Sequence, residues 1–157
     1  MTEDAPRALY YEDYEPGFEM QGGEYHVTEE EILEFGRRFD PQPFHNDKQA
    51  AADSYFGGLV APGCLTFAIR TALGNQLPGR PALIAGLRVE ELDLTTPVRP
   101  NDRLSLRITV LERRQSKSRP EAGIITTKQA IENQSGEVVL AMTSRMMVRL
   151  RNVDVRD

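Results

Sequence analysis

One stretch of this chain reads as a helix without a wet side. Between Pro62 and Leu77, Leu65, Ala68, Ile69, Ala72 and Leu73 fall on one side at helical spacing, and Cys64 and Phe67 fall on another. A helix apolar over most of its circumference has to be enclosed by other elements. Pro62 suits a first turn, where a missing amide costs nothing. Pro78-Gly79 ends the run. In this apolar setting Cys64 reads as core.

The enclosing elements follow in the sequence. Residues 82–98 form a long extended stretch, with Leu87 and Val89 in one phase and Leu92 and Leu94 in the other. The phase slips at Glu90-Glu91, which predicts a bulge. Pro97-Val98-Arg99-Pro100-Asn101-Asp102 is a turn. Leu104, Leu106, Ile108 and Val110 then alternate with Ser105, Arg107 and Thr109. Arg113 to Pro120 is a polar hairpin loop, and Gly123 to Glu132 is a third strand. Asn133-Gln134-Ser135-Gly136 turns the chain into a last strand carrying Leu140, Met142, Met146, Val148 and Leu150.

Upstream, residues 1–14 read as an irregular arm whose tyrosines, Tyr10, Tyr11 and Tyr14, pack on a neighbouring surface. Gly17 to Val27 is a short strand interrupted at Gly22-Gly23, with His26 a partly exposed strand residue. Thr28-Glu29-Glu30-Glu31 has the form of a capping box, in which the Thr28 hydroxyl accepts from an early amide and Glu31 reaches back. It opens a helix with Ile32, Phe35 and Phe39 on one face and Arg37-Arg38 at its C-terminal end. The economical packing is α+β: one domain over residues 1–157, in which a curved antiparallel sheet wraps the buried helix.

Bulk properties narrow the function. A formal charge of −5 gives no field favourable to nucleic acid. One cysteine excludes an intrachain disulfide, and two histidines with one cysteine make a poor zinc site. No apolar run approaches the roughly 20 residues that span a bilayer. The acidic N-terminus shows no secretory h-region, so a cytoplasmic protein without membrane partners is expected.

The chemistry concentrates in Asp40-Pro41-Gln42-Pro43-Phe44-His45-Asn46-Asp47. Two prolines remove two amide donors and push their preceding residues out of the helical region, so the run is expected to be a stiff, extended loop. Asp40 hangs from the end of one helix. Asn46 or Asp47 suits the cap of a short helix through Gln49 to Ala52, the role that would make Asp47 structural. Asp40 and His45 are the one acid–imidazole pair that such a loop holds in fixed relation. The bland alternative is a capping Asp40 and a packed His45.

This run, with Phe56-Gly-Gly-Leu-Val-Ala-Pro-Gly63 and a helix ending Leu77-Pro-Gly, resembles the MaoC-like dehydratases, the (R)-specific enoyl-CoA hydratases. The family pattern is Asp-x-Asn-Pro-x-His-x-Asp followed by a glycine that begins the central helix. Gln42 stands where Asn is usual, and Asn101 stands where Gly is usual in the turn at 97–102. The resemblance runs from about Tyr14 to Leu150. It implies a hotdog fold, a homodimer with sites at the subunit interface, and an acyl-CoA thioester substrate.

By the same resemblance Asp40 and His45 are the catalytic acid and base, and Gly63, Gln42, Phe44 and Thr71 contact substrate. The implied reaction is hydration of a trans-2-enoyl-CoA to a (3R)-hydroxyacyl-CoA, without metal or redox cofactor. A helix N-terminus at Gly63 presents free amides to a thioester oxygen. Thr71 has a competing role as a helix threonine bonded to a backbone carbonyl. The basic run Arg113, Arg114, Lys117 and Arg119 is a solvated hairpin tip or a holder for coenzyme A phosphates. Two other functions fit the same frame: an acyl-CoA thioesterase, and a non-catalytic acyl-thioester-binding subunit.

Overall fold

The computed structural model describes residues 6–152. In chain order these form β1 (Arg7–Leu9), a 3-10 turn (Tyr11–Asp13), β2 (Glu19–His26), α1 (Glu29–Phe39), α2 (Pro43–Asn46), α3 (Lys48–Ala52), α4 (Gly63–Gly74), β3 (Gly79–Pro81), β4 (Leu83–Leu94), β5 (Arg103–Gln115), β6 (Ala122–Glu132) and β7 (Val138–Arg149). Five strands make one sheet in the order β2-β5-β6-β7-β4, with every neighbouring pair antiparallel. No helix among the described residues is long and apolar enough to cross a membrane.

The alternation in β5 turns Leu104, Leu106, Ile108 and Val110 inward, where they are buried against Leu65, Ile69 and Leu73 of α4. So α4 lies in the hollow of the sheet, the packing that its apolar circumference requires. Its other side is not enclosed within the chain. Cys64, Ala68 and Thr71 are exposed, which corrects the expectation of a core cysteine. The helix also ends earlier than Leu77, at Gly74, where Asn75 caps it and a turn leads to β3.

The two irregularities expected from the sequence are present, at Gly22-Gly23 and at Glu90-Glu91, and further register shifts lie between Leu83 and Ala85, Gly86 and Arg88, Val110 and Glu112, and Ile131 and Glu132. The β2–β5 register shifts between Gly22 and Tyr25. The β4–β7 register shifts between Glu90 and Asp93, and Glu91 adopts a φ of 53°.

The N-terminal arm is more ordered than its sequence suggests; residues 1–5 lie outside the described residues. β1 pairs in parallel with β3, Tyr14 is fully buried, and Tyr11 packs on Gly123 of β6. Arg113 donates to the carbonyls of Tyr11 and Glu12, each at 3.1 Å, and pairs with Glu15. That arginine therefore fastens the arm instead of standing at a solvated tip. None of these pairings has a local sequence period.

At the other end, Thr28 caps α1 as expected, its hydroxyl accepting from the Glu31 amide at 3.2 Å. The Glu31 carboxylate does not reach back; it accepts from the Tyr25 hydroxyl and ties α1 to β2. Burial first, then that bond and the charge of Glu31, push the Tyr25 phenol up to about 12, so it stays a donor. Ile32 is buried, whereas Phe39 is 60% exposed under the Arg38 guanidinium.

Gly36 sits on the buried face of α1. A Cβ there would stand 2.6 Å from the backbone oxygen of His45. Such contact leaves no room for a methyl group unless α1 and the His45 segment separate. Gly36→Ala should therefore cost about 1–3 kcal/mol of stability through overpacking, despite the better helix propensity of alanine. Urea unfolding checks this, and an unchanged or raised midpoint would show that the two segments are not locked together.

Candidate active site

The site is assembled by main-chain bonds between segments remote in sequence. Asp40 caps the end of α1, its amide bonded to the Gly36 carbonyl at 3.0 Å. Asp40 to Gln42 make a tight turn, the Gln42 amide bonding the Asp40 carbonyl at 2.8 Å. Pro43 then occupies the first position of a helical turn, α2, where a proline needs no amide partner and already has the right φ. This corrects the expectation of an extended loop through Asp47, since the second proline starts helix instead of preventing it. His45 lies on that turn. Asp47 closes α2 and caps α3, its carboxylate accepting from the Ala50 amide at 2.7 Å. It is a structural cap, as its position in the sequence indicates.

His45 is 7% exposed and held on three sides. Its carbonyl rests on Gly36, its ring meets Phe44 edge-on at 4.6 Å between centroids, and its Nδ1 lies 2.7 Å from the Val60 carbonyl. A carbonyl only accepts, so Nδ1 carries the hydrogen and the neutral ring keeps its lone pair on Nε2. That Nε2 faces Asp40 Oδ2 at 3.5 Å. The separation exceeds a direct hydrogen bond and suits two groups that share a small third partner. Asp40 is partly exposed, so this space opens outward.

Val60 carries the geometry onward to α4. Its amide bonds the Phe44 carbonyl at 3.2 Å and the next amide, of Ala61, bonds the Val98 carbonyl at 2.8 Å. Gly63 follows as the first residue of α4, with Pro62 as its cap. The Gly63 amide has no acceptor among the described residues. Leu94 of β4 lies directly over its Cα. The turn at 97–102 braces this segment from below. Arg99 donates to the Phe56 carbonyl at 2.7 Å, Asp102 accepts from the Arg99 amide at 2.8 Å, and Asn101 takes a φ of 70°. Asparagine tolerates that left-handed conformation, which explains how it stands where glycine is usual.

Among the expected substrate contacts, the structure brings Phe44 to the pair, edge-on to His45 and tilted against Phe56. Gln42 is exposed, and its side chain bonds nothing among the described residues. Thr71 lies two turns beyond Gly63 on α4. It borders a separate cavity of about 420 Å³ between that helix and the sheet, whose lining includes neither Asp40 nor His45. Three positions carry more than their sequence disclosed: Gly36, the Val60 carbonyl, and Arg70 in the cavity wall. A glycine inside the otherwise regular helix Glu29–Phe39 was the one available signal, since such a residue usually marks a close approach.

Comparisons with known proteins bear on the family and the fold. A family model described as a MaoC like domain matches residues 15–134. The uncharacterized protein YdeM of Bacillus subtilis is 30% identical over 115 residues, covering 69% of this chain and 76% of its own. A crystal structure of the MaoC-like dehydratase from Rhodospirillum rubrum superposes with a TM-score of 0.82 at 38% identity, covering 92% of this chain and 99% of that one. An (R)-hydratase from A. caviae involved in PHA biosynthesis superposes with a TM-score of 0.64 at 25% identity, covering 87% of this chain and 96% of that one. With its sheet wrapped around α4, the chain belongs to the MaoC-like family and has the hotdog fold.

Proposed function

We propose that this chain is a hydratase of the (R)-specific enoyl-CoA type. The observation that carries the reading is the 3.5 Å gap between Asp40 Oδ2 and His45 Nε2, with the histidine hydrogen fixed on the far nitrogen by Val60. The resemblance to the R. rubrum MaoC-like dehydratase and the A. caviae (R)-hydratase supports it.

Hydration of a conjugated thioester requires three events. Water must lose a proton as its oxygen bonds Cβ, Cα must gain one, and the thioester oxygen must be stabilised as it becomes negative. A water between Asp40 and His45 donates to both acceptors at once. As its oxygen adds to Cβ, one member of the pair takes its proton and the pair delivers a proton to Cα, so the protonation of the pair is restored. The two titrate as a unit. The amide of Gly63, at the positive end of α4, is placed to receive the enolate oxygen. These groups meet all three requirements, so the proposed reaction calls on no metal or redox cofactor.

A second copy of this chain completes the proposal. β4 is an edge strand of twelve residues, with Leu83, Leu87, Val89, Leu92 and Leu94 each at least 40% exposed. A long apolar edge unpaired in the monomer is a template for another strand. Edge-to-edge pairing of two β4 strands would cover it, along with the apolar side of α4. The homodimer is part of the same reading.

Mixing the protein with crotonyl-CoA should bleach the enoyl absorbance without release of free thiol. Thiol release with the enoyl chromophore intact would favour a thioesterase. Asp40→Asn and His45→Gln should each lower kcat by about 10²–10⁴-fold, with circular dichroism unchanged. Near-normal turnover in either would remove the pair from the mechanism. Leu87→Glu combined with Val89→Glu should convert a dimer to a monomer by light scattering. A variant still dimeric would place the interface elsewhere.

A further inference from the structure

The cavity between α4 and the sheet is unusual in its polar balance. Its walls are largely apolar, with Met20, Phe67, Ile108 and Met142 among them. Three arginines also line it, Arg70, Arg88 and Arg145, and no aspartate or glutamate does. Arg88 and Arg145 share the single carboxylate of Glu90, each at 3.0 Å, so these three groups together keep one positive charge. Arg70 has no ion pair among the described residues. Its Nε donates to the amide oxygen of Gln129 at 2.5 Å, a neutral partner. Burial disfavours its charge, with no carboxylate to offset that cost.

The remaining groups point the same way. Gln129 spends its NH₂ on Thr127 Oγ1 at 3.0 Å and Ser144 Oγ at 2.8 Å, which fixes its oxygen on Arg70. The Gln129 amide and the Thr127 and Ser144 hydroxyls are thus engaged with one another and with Arg70. What stays unsatisfied consists of donors: the buried Tyr14 hydroxyl and the buried Arg145 Nε, both on residues that line the cavity. Burial also raises the Tyr14 phenol, so it remains protonated. A cavity with surplus donors and an unpaired guanidinium accommodates an acceptor anion, and a carboxylate matches the planar fork of arginine.

We infer that this cavity binds a carboxylate carried on the acyl group of the substrate, so that the chain acts on dicarboxylic monothioesters. The inference rests on the hydratase reading for the thioester end. Gly63, the proposed oxyanion donor, and Arg70 lie on the same helix, seven residues or about 10 Å apart along its axis. An acyl chain laid along α4 from Gly63 would come to Arg70 and Thr71 over that distance, and Tyr14 lines the same cavity as those two residues. Thr71 would take part through its exposed hydroxyl, which bonds no carbonyl among the described residues.

The test uses saturated thioesters, which cannot turn over. Succinyl-, glutaryl-, adipyl- and suberyl-CoA are titrated calorimetrically against the methyl half-ester of each. At least one acid should bind about tenfold or more tightly than its own ester, as a charge-assisted bond predicts, and Arg70→Met should abolish the difference. No preference at any length, or a preference kept in Arg70→Met, overturns the inference. The ester comparison in the unaltered protein decides the matter if Arg70→Met does not fold. Turnover of the matching enoyl-CoAs separates the two proposals. Selective acid binding with no hydration of any enoyl-CoA would remove the hydratase reading alone. Hydration of crotonyl-CoA with no acid preference at any length would remove this inference alone.

Discussion

The hydrogen bond from the His45 ring to the Val60 carbonyl joins the two halves of the molecule's chemistry. On one side stand the end of α1 and the helical turn that follows; on the other stands the segment that starts α4. A buried bond of this kind contributes only about 1 kcal/mol to stability. Its larger effect is on orientation. It selects one tautomer, aims Nε2 at Asp40, and ties the imidazole to Val60, three residues before the first residue of α4. The surrounding structure serves to keep the bond in place: Gly36 lets the His45 backbone sit against α1, Phe44 and Phe56 pack on the ring side, and Arg99 and Asp102 brace the Val60 segment.

Much of this was legible in the sequence wherever a local rule governs. Thr28 and Asp47 cap helices because their side-chain oxygens find amides three residues on. Leu104, Leu106, Ile108 and Val110 face inward because a strand alternates, and the phase slip at Glu90-Glu91 becomes a bulge in which Glu91 takes a φ of 53°. Asp40 and His45 were recoverable as a pair because the prolines between them leave few conformations.

Other features were hidden because their partners are far away along the chain. The arm pairs with residues 79–81 and with Gly123, and nothing in its own composition specifies either. Arg70 and Gln129 are 59 residues apart and meet only once the sheet has curved over α4. Pro43 misled for a different reason: proline forbids a helix behind it and favours one ahead, and the residues here serve both roles within four positions. Cys64 misled because apolar composition around a helix signals burial without saying whose surface provides it.

The strap formed by the arm has an evolutionary corollary. Tyr14 reaches the cavity from a segment held by β3, by Arg113 and by Gly123, none of which touches Asp40 or His45. On the proposed reading, the part of the cavity wall that Tyr14 supplies thus comes from a different segment than the Asp40–His45 pair. Substitutions at Tyr14 or Arg70 can shift what the cavity admits while leaving the reacting atoms in place. A fold divided in this way can acquire new substrates by altering one wall, with its chemistry inherited intact.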